Sequence, residues 1–140
     1  MRSSLQFKEF HVVETIYRYN PFLSVDDDTL NPSFDFELEY NNDSKTEAWI
    51  TLITEMGDIN LKKNSTYVRA AVLGQFEIEA DEQMSTDEKI GLYRVNGVAI
   101  LYPYLRSLVS DLTGKGSEQS IILPTLNIVE VMKSYESNND

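Results

Sequence analysis

The chain has 140 residues, 41% of them hydrophobic and 11% aromatic, proportions that suit one globular domain able to bury roughly two thirds of the surface its unfolded chain exposes. A net charge of −11 repels phosphate backbones and anionic lipid, which argues against nucleic acid and favours basic partners. The absence of cysteine removes thiolate catalysis and zinc-thiolate sites and suits a cytoplasmic location, while no segment has the ~20 apolar residues of a membrane span and Met1 to Glu9 lacks a signal-peptide core.

Leu5 to Tyr19 is β-branched and aromatic, with Phe7, Val13, Ile16, Tyr17 and Tyr19 set among polar residues, and reads as a strand. Its alternation changes face around Phe10-His11-Val12-Val13, which predicts a bulge or a bend. Asn20-Pro21 ends it, and Leu23 to Pro32, with Asp26, Asp27 and Asp28, reads as a crossing loop. Ser33 to Asn41 has the clearest period of two. Phe34, Phe36, Leu38 and Tyr40 line one face, and Asp35, Glu37 and Glu39 the other.

Asn42 to Lys45 turns the chain into a third strand, Glu47 to Met56, with Ala48, Ile50, Leu52 and Met56 alternating against Trp49, Thr51, Ile53 and Glu55. After Gly57-Asp58 and an irregular stretch, a fourth strand runs from Thr66 to Ala80. It places Val68, Ala70, Val72, Phe76 and Ile78 on one side, with Gly74 marking a bulge or a close backbone approach.

Ser85 and Glu88 have capping-box spacing, so a long helix is predicted over about residues 86–113, with breaks or kinks at Gly91, Asn96, Gly97 and Pro103. From Val95 to Thr113 only Arg106 and Asp111 are ionised. A helix so apolar must be covered on more than one side, by its own domain and then by a partner or an apolar ligand. Gly114-Lys115-Gly116 stops it, and an extended crossover over 117–126, containing Ile121 to Leu126, leads to a short final helix over about 127–136 capped by Asn127. Ser137 to Asp140 is expected to fray. Strands first and helices last specify an α+β fold, a four-stranded antiparallel sheet with two helices gathered on one face, in a single domain over 1–140.

Reactive chemistry is sparse. His11 is the sole histidine and shares a strand face with Glu9. No phosphate-binding, dinucleotide, zinc-protease or serine-hydrolase motif occurs, and the three successive aspartates lack calcium-loop spacing. No catalytic residue, metal or cofactor is expected. Acidic residues concentrate at Asp26 to Asp28, on Asp35, Glu37 and Glu39, and from Glu77 to Glu88, as a solvated face or a docking site for a basic partner. The apolar residues of the second strand, the uncharged helix, the crossover and the Ile128/Met132 face together exceed what one sheet-and-helix layer pair consumes. They point to an oligomer with grooves for extended apolar peptides.

Two runs carry a family resemblance: Asn96-Gly97-Val98-Ala99-Ile100-Leu101-Tyr102-Pro103-Tyr104-Leu105-Arg106 through Ser110-Asp111-Leu112-Thr113, and Leu123-Pro124-Thr125-Leu126-Asn127-Ile128. They resemble the proline-tyrosine helix and the L-P-x-x-N segment of the SecB family of export chaperones. The resemblance implies a Greek-key sheet and a homotetramer, a dimer of dimers that sandwiches the long helices through Val98, Leu101, Tyr102, Leu105 and Val109. It also implies an ATP-independent holdase that takes unfolded preproteins in grooves lined by Phe34, Phe36, Leu38, Tyr40, Leu126, Ile128, Val131 and Met132. Asp35, Glu37, Glu39, Glu77 and Glu79 would dock the translocation ATPase SecA.

Gly116 to Ser120 lacks the aromatic-proline pair that many export chaperones carry after this helix, so the chain resembles a divergent member. Some such relatives guard an antitoxin, and a dedicated antitoxin chaperone is the second reading. A small α+β enzyme with a cone-shaped pocket is the third, and a purely structural oligomer with closed grooves the fourth.

Overall fold

Period-two apolar residues build four strands: β1 (Ser4–Tyr19), β2 (Ser33–Tyr40), β3 (Glu47–Gly57) and β4 (Thr66–Glu79). They pair antiparallel in one sheet of order β1-β4-β3-β2. The meander β2–β3–β4 is followed in space by β1, which the long 20–32 connection places at the far edge, a Greek-key arrangement. The structure, a computed structural model, describes residues 4–79, 84–115, 120–127 and Met132.

The bend expected in β1 is present as two register shifts, between Phe7 and Glu9 and between Val12 and Glu14, on either side of Phe10-His11-Val12. Gly74 marks no bulge, because its pairing with Phe10 and Ile50 is continuous with that of its neighbours. It is the site of close approach: a Cβ there would stand 2.8 Å from a Leu101 methyl and 2.8 Å from the Phe76 ring. The helix can lie this near the sheet only because position 74 has no side chain.

Ser85 caps the helical region as its spacing predicts, accepting from the Glu88 amide at 3.1 Å. The irregularity expected around Gly91, Asn96 and Gly97 takes the form of a change of helix type at Gly91 and again at Gly97. Helix α1 (Thr86–Gly91), a π-helical segment (Leu92–Gly97) and helix α2 (Val98–Gly114) follow without interruption, and Pro103 lies inside α2. The wider turn adds a residue to the helical register and brings Tyr93 round to the sheet, where its hydroxyl donates to the Lys45 carbonyl at 2.9 Å. Gly97 helps here, since a Cβ would collide with the Ile50 methyl.

The core lies between the sheet and α2. Ala48, Ile50, Leu52, Val68, Val72 and Phe76 meet Tyr93, Val98, Leu101, Leu105 and Val109, closed at the far end by Leu123 and Met132. This corrects one expectation. Val98, Leu101, Tyr102, Leu105 and Val109 are 0–5% exposed within a single chain, so they are spent on the chain's own sheet and are not surfaces for a second subunit. The helix face that remains outward carries Pro103, Tyr104, Ser107 and Asp111. The final helix falls, apart from Met132, outside the described residues, as do Ala80 and the acidic residues Asp81 and Glu82.

The 20–32 connection is tied to the β3–β4 connection by Asp28, whose carboxylate accepts from the Ser65 amide at 2.9 Å and from the Ser65 hydroxyl. The hydroxyl, then the amide, holds the Asp28 carboxyl below its ordinary value. Asp58 organises the β3–β4 connection in the same way, through the amides of Lys63, Lys62 and Asn60.

Candidate functional site

Strand β2 is the end strand of the sheet, so its inner face is roofed less completely than those of β3 and β4. Phe34, Phe36, Leu38 and Tyr40 are half-buried and packed against the core. The helical region supplies the wall. Tyr102 meets Phe34 edge-on with ring centroids 5.8 Å apart, Arg94 lies 5.7 Å from the centre of the Phe36 ring, and Tyr93 stands 5.8 Å from Tyr40. Lys45 covers the Tyr40 ring at 4.7 Å. The result is an aromatic row with cations poised over two of its rings.

The crossover forms the rim. Tyr102 donates to the Pro124 carbonyl at 2.6 Å, Arg106 to the Leu123 carbonyl at 2.7 Å, and the Ile121 amide to Thr113 at 2.7 Å. These bonds hold an extended segment to α2, bury Leu123 and leave Leu126 half-exposed. Tyr102 therefore links β2 to the crossover, touching Phe34 with its ring and Pro124 with its hydroxyl. Burial raises the proton affinity of Tyr40, Tyr93 and Tyr102, which keeps these hydroxyls neutral donors.

Of the expected client-binding residues, Phe34, Phe36, Leu38 and Tyr40 share one strand face, and Leu126 lies on the crossover. Met132 is buried in the core, and Ile128 and Val131 lie outside the described residues. Tyr102 belongs to this wall instead of to a subunit interface. Arg94, Tyr93 and Lys45 were not anticipated. Nothing in local spacing signals them, since each reaches β2 only through the π-helical turn or the β2–β3 connection.

Asp35, Glu37, Glu39, Glu77 and Glu79 all lie on the outer sheet face, with Glu77 paired to Lys8 at 3.6 Å. Asp35, Glu37 and Glu39 have no ion-pair partner among the described residues. Beside them a depression of about 440 Å³ is lined by Ser33, Phe34, Asp35, Glu37, Ile53, Glu55 and Arg69. Arg69 is neutralised there by Glu14 at 2.5 Å and Glu55 at 3.8 Å. Tyr67 donates to Glu55, and burial first, then that carboxylate, pushes its hydroxyl up to about 12. His11 pairs with Glu9 at 3.2 Å on the exposed part of this face and lines neither this depression nor the groove.

No family model matches the chain. It aligns at 32% identity over 108 residues with the uncharacterized protein MJ0357 of Methanocaldococcus jannaschii, covering 76% of this chain and 68% of that protein. The chain belongs to the MJ0357 family. Among solved structures, this MJ0357-family chain is similar to the Mycobacterium tuberculosis SecB-like chaperone Rv1957, solved in complex with a ChAD peptide from the Rv1956 HigA1 antitoxin. The TM-score is 0.67 over 87% of each chain, at 18% identity. The fold is therefore SecB-like. A Streptococcus agalactiae protein of unknown function aligns over 89% of this chain and 100% of its own, at 13% identity and a TM-score of 0.44, too low to bear on the argument.

Proposed function

We propose that the protein is an ATP-independent holdase that binds an extended, unfolded polypeptide along the inner face of β2. The observation that carries this reading is the half-buried row Phe34-Phe36-Leu38-Tyr40 on an end strand, walled by Tyr102 and Arg94, in a SecB-like fold. Burying ~1,000 Å² of apolar client surface offers roughly 25 kcal/mol in gross terms before ordering costs, enough for tight association without a unique sequence. The charge of −11 steers basic, unfolded chains to the site.

Two kinds of client are in view. The fold neighbour's antitoxin peptide favours a dedicated client segment, while the acidic outer face of Asp35, Glu37, Glu39, Glu77 and Glu79 suits docking of a basic surface such as that of SecA in export. Among the described residues no helix is long and apolar enough to cross a membrane. The proposed assembly is a homotetramer acting in the cytoplasm. Its contacts form not through the buried stripe of α2 but through apolar side chains left outward: Phe10 at 36% exposure, Val12 at 48%, Val13 at 51% and Tyr104 at 43%. Tyr104 already packs on Phe10 at 4.7 Å, so α2 and β1 present one continuous patch.

The test is to mix the protein at stoichiometric amounts, without ATP, with a chemically unfolded secretory precursor and, separately, with an unfolded antitoxin, recording light scattering and oligomeric mass. Suppression of both establishes a general holdase, and suppression of the antitoxin alone a dedicated one. Failure with both removes the proposal.

A further inference from the structure

The backbone of β2 has a parity that the side chains alone do not show. The Asn41 amide donates to the Glu47 carbonyl at 3.1 Å, and the Ile78 amide to the Thr46 carbonyl at 2.9 Å. Odd-numbered residues of β2 thus exchange hydrogen bonds with odd-numbered residues of β3, whose even-numbered residues face β4. The amides and carbonyls of Phe34, Phe36, Leu38 and Tyr40 therefore point to the open side of the sheet. They are the same residues whose side chains form the aromatic row. One of these amides is covered from within the strand, because Phe36 donates to the carboxylate of its own neighbour Asp35 at 2.8 Å. A side chain that turns back to its own backbone in this way blunts an edge that would otherwise recruit another strand.

We infer that β2 takes its client by strand addition, the incoming polypeptide pairing its backbone with the open edge of Phe34 to Tyr40 while Asp35 releases the Phe36 amide. This rests on the holdase reading above and specifies how the same site grips its client. The edge offers eight residues, a span of about 27 Å, enough for several main-chain hydrogen bonds that are indifferent to client sequence. Selectivity then has a period of two. Apolar client side chains fall on the inner face beside Phe34, Phe36, Leu38 and Tyr40, and basic ones on the outer face beside Asp35, Glu37 and Glu39.

The same charges decide against a second copy of this strand. Two β2 edges paired antiparallel would set carboxylate against carboxylate, which is unfavourable, whereas a basic strand supplies the missing partners.

The probe is a nine-residue peptide of alternating valine and lysine carrying a fluorophore, titrated into the intact protein, together with two versions N-methylated on alternate amides: the valine set in one, the lysine set in the other. Strand addition predicts that one methylated set loses about tenfold or more in affinity while the complementary set binds like the parent. It also predicts that Asp35→Ala, which releases the Phe36 amide, tightens binding of a neutral valine-serine version of the peptide, whose side chains carry no charge for Asp35 to attract. Glu37→Lys with Glu39→Lys should shift preference to a valine-glutamate peptide. Equal binding, or equal loss, of the two methylated sets overturns strand addition; if aggregation suppression persists, the holdase reading stands without it. Absence of both peptide binding and suppression overturns the two together.

Discussion

The sheet has two edge strands, and they solve the problem of an open edge in opposite ways. β1 is long, shifts register twice, alternates Lys8, Glu9, Glu14 and Arg18 along its length, and leaves Phe10, Val12 and Val13 outward. β2 is short and regular, with one acidic face and one aromatic face. An irregular edge of mixed charge with an apolar patch suits a fixed, self-complementary contact, whereas a regular edge of uniform charge suits transient pairing with many chains. Under the proposed function, assembly and capture would be separated across the width of four strands.

The largest effect should come from breaking what both edges share. Leu101→Ala removes a fully buried side chain beneath Gly74 and should cost about 3 kcal/mol, read by urea denaturation, with assembly and client binding weakened together. A narrower break is Phe36→Asp. It places a charge in the aromatic row and should reduce client affinity by about tenfold or more while native mass spectrometry shows the oligomer unchanged. Loss of the oligomer from this variant would show that the β2 face is an assembly surface. Val12→Asp, on the other edge, should lower the oligomeric mass yet leave short-peptide binding within about threefold of the parent.

Smaller effects follow from charge and pH. Raising salt to about 1 M, where the Debye length is about 3 Å, should slow client association at the acidic β2 edge and leave the apolar β1 contact intact. Tyr67 holds its proton up to about 12, so the stability it contributes is fully present below the ordinary tyrosine value of about 10. That stability is lost as pH rises from there toward 12, and thermal melts in this range should show it. Asp28 and Asp58 titrate in the opposite sense: their depressed values give stability present above about pH 3.9 and lost as pH falls through the folded values. Acidification should therefore loosen the 20–32 connection, which joins the two edges, before it melts the core. Hydrogen exchange at Ser65 reads that loosening.

Much of this was legible in residue spacing. Strand β2 is legible to within a residue because one of its faces is half-buried and the other wet, the condition that makes a period of two explicit. The capping box placed the helix start for an equally local reason. Two other features depend on tertiary contact and were not legible. The uncharged helix reads as an interface when its apolar stripe is counted alone, yet Gly74 lets α2 settle on the sheet and consume that stripe. Gly91, Asn96 and Gly97 mark where the helix is irregular, yet the form it takes, a π-helical segment, depends on the packing of Tyr93 and Gly97 against the sheet. The open-edge parity of β2, on which the proposed strand addition rests, follows from pairing register and cannot be read from composition.

The most direct test of the central claim is a backbone NMR titration of the protein with an unfolded client, following amides on both edge strands. The account predicts that Phe34, Phe36, Leu38 and Tyr40 shift together, while Phe10 and Val12 keep the resonances of the client-free oligomer. Shifts confined to β1, or to the outer-face residues Trp49 and Glu77, would contradict it.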